Sequence, residues 1–148
     1  MSIEDDIALL ARVPTLNMLG MSALQVLAIS TEQYDYSFGD VLFHKGDIAD
    51  AGYVVRQGAF RISAGDGGPE TTASVGELIG ELALLHDMRR PATATALEQS
   101  SVIRLSRKLY QRVLESHPEA ARRVRDDLAA RTNDAATALA RLTARLKR

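Results

Sequence analysis

Between Gln33 and Leu105 glycine breaks the chain into short segments, and this punctuation constrains the fold more than any other feature. Tyr34–Phe38 stops at Gly39-Asp40, Val41–His44 at Gly46-Asp47, Gly52–Arg56 at Gln57-Gly58, and Phe60–Ser63 at Gly65-Asp66-Gly67-Gly68. Thr71–Val75, Thr93–Leu97 and Ser101–Leu105 follow. Closely spaced short strands bounded by turn residues predict a β-sandwich or barrel. Gly58 and the Asp66-Gly67 pair read as hairpin signals, because such turns need positive φ and glycine adopts it without a Cβ clash.

The flanks have a different texture. Glu4–Val13 carries Ile7, Leu9, Leu10 and Val13 on a broad apolar face. A second helix is expected with Ser22 as N-cap, running through Leu24, Val26 and Leu27, and Pro14 and Gly20 punctuate the join. After Ser106, Lys108–Leu114 reads as a helix, and Ser116-His117-Pro118 breaks it with a proline suited to a helix N1 position. Glu119–Leu146 then runs without glycine or proline and is rich in alanine, leucine and arginine, all strong helix formers. The expected fold class is α+β, mainly β: N-terminal helices, then a compact β-unit of sandwich or barrel type, then a long C-terminal helix. One domain is expected over 1–148, with helices in 1–30, the β-unit in 31–106 and helices in 107–148.

Composition narrows the chemistry. The 148 residues are 46% apolar and 25% charged, the balance of one globular domain with one core. The absence of cysteine removes disulfides, thiolate metal sites and a cysteine nucleophile. His44, His86 and His117 are scattered without metal-ligand spacing, and the serines lack a His/Asp partner pattern. No enzyme activity, metal or cofactor is therefore expected. The longest apolar runs are a few residues, so no membrane span is expected, and the acidic Met1–Asp6 is unlike a secretory signal. The expected location is the cytoplasm. The net charge of −1 conceals a split: 6 basic and 14 acidic residues in 1–100, against 12 and 5 in 101–148. Because the basic residues alternate with alanine and leucine, they read as a solvated helix face rather than a nucleic-acid arm.

The most informative stretch is 75–97, VGELIGELALLHDMRRPATATAL. It places a glycine-flanked carboxylate, Glu81, before an apolar turn, and an arginine pair, Arg89-Arg90, before a small-residue strand. A helical turn opening after glycine offers free N–H groups to an anion, and arginine adds a forked, permanent charge for phosphate oxygens. The spacing alone leaves a second reading open, in which Glu81 and Arg90 form a plain ion pair.

Gly80-Glu81-Leu82-Ala83-Leu84-Leu85 followed by Arg90-Pro91-Ala92-Thr93 resembles the phosphate-binding cassette of the cyclic nucleotide-binding domain family, which includes the catabolite activator and protein kinase A regulatory subunits. Gly39-Asp40, Gly46-Asp47, Tyr53-Val54-Val55 and Gly58 are similar to the strands preceding that cassette, and the resemblance covers roughly residues 8–130. Gly-Glu-Leu occurs at both Gly76 and Gly80; the family's spacing of nine from glutamate to arginine selects Glu81 with Arg90 and leaves Glu77 and Arg89 as exposed neighbours. The resemblance implies that the β-unit is a jelly-roll-like β-roll, with a ligand site over Gly80, Glu81, Leu82, Ala83, Arg90, Pro91, Ala92 and Thr93, within a cassette spanning 80–93. Glu81 would accept from the ribose 2′-hydroxyl, Arg90 would pair with the cyclic phosphate, and the Leu82 and Ala83 amides would add contacts. A lid helix would bring Arg131 or Thr132 over the purine. Pro91 departs from the family's usual Ala, Ser or Thr; it lacks an N–H, so a bond worth roughly 1.5–3 kcal/mol is lost at that position. It also lacks a hydroxyl to read guanine.

The resemblance implies a sensor of a 3′,5′-cyclic nucleotide, cAMP favoured and cGMP possible, that signals through its C-terminal helix to an effector protein not named by the sequence. Two alternatives share the fold: a ligand-free protein-interaction module, and the sensor part of a cAMP-responsive transcription regulator. A helix-turn-helix would need roughly sixty more residues after the long helix, so direct sequence-specific DNA binding is not expected.

Leu128, Thr132, Ala135, Leu139, Leu142 and Leu146 are spaced as a heptad seam. The stripe is open to packing on the barrel, but a helix of nearly thirty residues would extend past a barrel this small, which favours a parallel homodimer. Light scattering is expected to give a dimer at micromolar concentration; a monomer with and without ligand overturns the expectation.

Overall fold

The computed structural model describes residues 2–65 and 67–131. Three helices precede the first strand. Ser2 opens α1 (Ile3–Ala11) with a capping box, its hydroxyl accepting from the Asp5 amide while the Asp5 carboxylate accepts from the Ser2 amide. Pro14 begins a one-turn helix, α2 (Pro14–Asn17), where the sequence suggested only a join. Helix α3 (Met21–Ser30) starts from Gly20 at φ 88°, not from Ser22. The positive φ makes the turn into the helix, and Ser22 lies one residue inside it with its hydroxyl 3.3 Å from His117 Nε2.

Ten strands follow: β1 (Glu32–Tyr36), β2 (Val41–Phe43), β3 (Ile48–Ala49), β4 (Ala51–Gln57), β5 (Ala59–Ser63), β6 (Glu70–Ser74), β7 (Leu78–Ile79), β8 (Met88–Arg89), β9 (Thr93–Ala96) and β10 (Ser100–Ser106). They form antiparallel sheets of order β1-β10-β4-β7 and β2-β9-β5-β6, with a separate β3-β8 ribbon. Ser106 then caps α4 (Arg107–Ser116) by accepting from the Leu109 amide, and a further helix, α5, occupies 118–131 from Pro118 onward. This is the expected α+β architecture of a β-roll with helices at both ends. Among the described residues no helix is long and apolar enough to cross a membrane. Of the heptad seam only Leu128 is described; Thr132 to Leu146, and the end of the expected long helix, lie outside the described residues.

The two central strands are buried on both faces. Val55 and Val102 join Phe43, Phe60, Ala73, Ile79, Ala94 and Ala96 between the sheets. Their neighbours Val54, Ile103 and Leu105 face the other way, onto Leu10, Leu16, Leu24, Leu27, Tyr110 and Val113 of the helices. Side chains alternate across a strand, so one β4–β10 pair supplies both cores. A polar tie adds to the docking of α1: the buried Asp6 lies 3.5 Å from Arg56 Nε and accepts from Gln33 Nε2 at 3.0 Å.

Gly58 does not close a hairpin. Strand β4 lies in one sheet and β5 in the other, so Gly58, at φ 77°, turns the chain across the sandwich corner. The Asp66-Gly67 signal does mark a hairpin, with β5 and β6 paired from Ala59↔Ser74 to Ser63↔Glu70. A Cβ at Gly58 would overlap Ser100 Oγ and stand 2.6 Å from the Gln99 carbonyl oxygen, whereas one at Gly39, φ 87°, would meet nothing within 4 Å. Gly39→Ala is expected to cost about 1–2 kcal/mol for backbone conformation alone, and Gly58→Ala about 3 kcal/mol or more through added overlap. Denaturant unfolding of the two variants measures the gap; equal losses would refute the corner assignment.

Candidate functional site

The site is assembled where β7 ends. Gly80, at φ 78° and ψ 37°, turns the chain left-handed into a single 3-10 turn, Glu81–Leu84. Ala83 and Leu84 are buried, Leu84 within the helical core, so the turn is anchored from below while Glu81 and Leu82 stay accessible. The chain returns through β8, which pairs with β3 as Ile48↔Arg89 and Ala49↔Met88. Beyond it the Arg90 amide donates to the Asp47 carbonyl at 2.7 Å, and the Arg90 carbonyl accepts from the Gly46 amide at 2.8 Å. Neighbours on a strand point to opposite sides. Arg89 is accordingly exposed and donates to the Gly46 carbonyl, while Arg90 turns inward.

Arg90 is only 4% exposed. Its Nη2 donates to the Ala51 carbonyl at 2.7 Å, and its guanidinium lies 4.2 Å from the Phe43 ring centroid and 5.5 Å from that of Tyr53. A Cβ on residue 80 would stand 2.5 Å from Arg90 Nη1, so this close approach requires glycine there. Among the described residues no carboxylate pairs with Arg90, and its buried Nε has no hydrogen-bond partner. Burial loosens its hold on its proton, offset in part by Tyr53 and Asp50. It remains a cation at neutral pH, because arginine does not deprotonate in proteins.

Beside it is a pocket of about 210 Å³. Phe43, Ile62, Ile79, Leu82 and Met88 give it apolar walls, and Gly80, Glu81, Arg90, Pro91 and Ala92 complete the lining. Six of the nine expected site residues therefore meet at one cavity: Gly80, Glu81, Leu82, Arg90, Pro91 and Ala92. The other three do not line it. The Ala83 amide closes the 3-10 turn onto the Gly80 carbonyl at 3.1 Å. The Thr93 hydroxyl accepts from the Lys45 amide at 2.9 Å. Arg131 reaches the opposite side of the turn, donating to Glu81 Oε1 at 3.1 Å and to Asp127 Oδ2 at 2.9 and 2.6 Å.

The plain Glu81–Arg90 ion pair is not formed, since Glu81 pairs with Arg131 of α5 instead. Below that contact, burial pushes the Tyr110 phenol up to about 12, with Glu81 adding to the shift. The aromatic shelf under Arg90 was missed in the sequence; Phe43 and Tyr53 sit in strands ten residues apart, and only the fold joins them. The Asp127–Arg131 pair was open to discovery from its i, i+4 spacing. Among the described residues no group of three histidine or acidic side chains is arranged to hold a metal ion.

The family profile described as "Cyclic nucleotide-binding domain" matches residues 34–117, more than half of the chain and the whole of the site up to α5. The chain belongs to this family. The lysophospholipase nte1 of Aspergillus oryzae is 32% identical over 116 residues, covering 76% of this chain and 8% of that protein. A cAMP-dependent protein kinase regulatory subunit of Yarrowia lipolytica is 33% identical over 106 residues, covering 71% and 28%. The chain thus spans less than a third of the length of either relative. Among solved structures, the N-terminal domain of a transcriptional regulator from Streptomyces coelicolor A3(2) superposes with a TM-score of 0.79 at 31% identity, covering 88% of this chain and 94% of that one.

Proposed function

We propose that this cyclic nucleotide-binding domain is a non-catalytic sensor of a 3′,5′-cyclic nucleotide, cAMP in preference to cGMP, working through its C-terminal helix. The observation that carries the reading is Arg90. Arg90 is 4% exposed and pairs with no carboxylate among the described residues, a costly burial for a charge, and it borders the pocket of about 210 Å³. A cyclic phosphate supplies the missing negative charge. In this reading Arg90 takes the phosphate through Nε and Nη1, Glu81 accepts from the ribose 2′-hydroxyl, and the Leu82 amide adds a donor at the start of the turn. Phe43, Ile62 and Met88 offer apolar surface to the rest of the nucleotide. The relative named as a cAMP-dependent protein kinase regulatory subunit supports this choice of ligand class.

Part of the signal passes through Glu81, whose carboxylate already meets Arg131 of α5, and the rest through the packing beneath the cassette turn. A ligand that alters this contact shifts the population of helix positions, by as much as its affinity differs between them. The reading places the chain in the cytoplasm, as a homodimer acting on an effector protein, without membrane insertion or direct sequence-specific contact with DNA. Calorimetric titration with cAMP and cGMP tests it directly. Absence of heat with both favours the ligand-free interaction module instead.

Arg90→Ala is expected to weaken cAMP binding at least a hundredfold, about 3 kcal/mol, because the buried phosphate loses its charge-assisted bonds. Arg89→Ala is expected to stay within about threefold, since that side chain is exposed and bonded elsewhere. Comparable losses in the two variants would undo the register.

Purine selectivity is set by what the pocket lacks. Pro91 lines it without a hydroxyl, and Thr93, whose hydroxyl accepts from the Lys45 amide, does not line it. Among the described residues no hydroxyl-bearing side chain lines the pocket to read the guanine edge, and cAMP is expected to bind about tenfold tighter, or about 1.4 kcal/mol. Competition in which cGMP displaces a labelled nucleotide better than cAMP does would overturn this preference.

A further inference from the structure

Arg107 stands where a cation is least welcome. It is the first residue of α4, followed by Lys108, and no acidic side chain occupies that first turn. Positive charge at a helix N-terminus opposes the aligned peptide dipoles. A local rule broken in this way points to a compensating contact elsewhere.

That contact is the far end of the cassette turn. Arg107 Nη1 donates to the His86 carbonyl at 2.8 Å, and lies 3.3 Å from the Ala83 and 3.4 Å from the Ala49 carbonyl oxygens. Its Nη2 pairs with Asp87 at 2.6 Å, and its own amide donates to the Asp50 carbonyl at 2.8 Å. The last carbonyls of a helical turn have no partner within it, and a guanidinium is suited to collect them. The Arg107 side chain is 18% exposed, whereas Asp87 is 96% exposed. The carbonyl bonds are therefore the stronger part, and the ion pair is screened by water.

We infer that Arg107 is a positioning residue for the ligand site. It fastens the exit of the 80–86 turn to the first residue of α4, so that Gly80, Glu81 and Leu82 are held facing the pocket. Because the same side chain begins α4, a displacement of the turn is transmitted to the C-terminal helices. The consequence for ligand affinity rests on the nucleotide-binding reading; the consequence for the turn itself does not.

The test compares Arg107→Met, Arg107→Lys and Asp87→Asn in the full chain, reading amide hydrogen exchange without ligand and cAMP affinity by calorimetry. The reporting amides are Ala83, which donates to the Gly80 carbonyl, and Leu85 and His86, which donate to Leu82. In Arg107→Met these amides are expected to exchange about tenfold faster while the β4–β10 ladder is unchanged, and cAMP affinity to fall about tenfold. Arg107→Lys, one point donor in place of a fork, shows the same selective loosening at smaller amplitude and decides the matter if the methionine variant does not fold. Asp87→Asn stays within about twofold. Unchanged cassette exchange, equal acceleration of the ladder, or an Asp87→Asn effect as large as that of Arg107→Met overturns the inference. If the parent chain binds no cAMP, the nucleotide reading fails, and the exchange measurement still decides the role of Arg107.

Discussion

Both cores and the site depend on one antiparallel pair, β4 with β10. Val54 and Ile103 face the helices, Val55 and Val102 face the second sheet, and each of these side chains is fully buried. A pair covered on both faces cannot slip register by one residue, because every apolar side chain would exchange cores. Its fixed end is Ala51 opposite Ser106. The Ala51 carbonyl accepts from Arg90, and Ser106 is followed by Arg107, which reaches the cassette carbonyls. Two arginines that define opposite sides of the turn thus hang from one end of this doubly covered ladder.

How much was legible in the sequence follows from the range of each signal. The longer strands and their turns were readable because glycine at positive φ leaves a local mark, and α1 because its apolar face repeats. Strands β3, β7 and β8 have two residues each, too few for any period to show. Gly58 announced a turn correctly, but positive φ does not say whether the next strand returns to the same sheet or crosses to the other. Gly20 and Ser22 show the same limit at a helix start, where both residue types suit a cap and geometry selected the glycine.

The cassette was legible as a spacing, and the resemblance chose its register. What lay beyond reach was the environment of each member. Arg89 and Arg90 are chemically identical, and only the short β3–β8 ribbon sends one to solvent and the other under Phe43. An isolated buried guanidinium is tolerated here because three weaker partners share the cost: the Ala51 carbonyl and the faces of Phe43 and Tyr53. None of them is an anion.

The C-terminal helix is held by less. Among the described residues of α5 only Ala120 is buried, with residues 121, 124 and 127 partly covered, and the Glu81–Arg131 contact is half open to water. An exposed pair of this kind contributes at most about 1 kcal/mol, and removing it changes a two-position equilibrium by about fivefold or less. Glu81 alone is therefore too weak a lever for a strong switch. A larger response requires the packing beneath it, where Leu84 of the cassette turn meets Tyr110 and Val113 of α4 in the helical core. Burial energy there scales with area at about 25 cal/mol per Å², so a displacement exposing roughly 40 Å² around Leu84 would match the ion pair above it. In the proposed sensor the apolar contact beneath the turn would therefore carry the larger share of the signal, with Arg131 biasing the resting position of the helix.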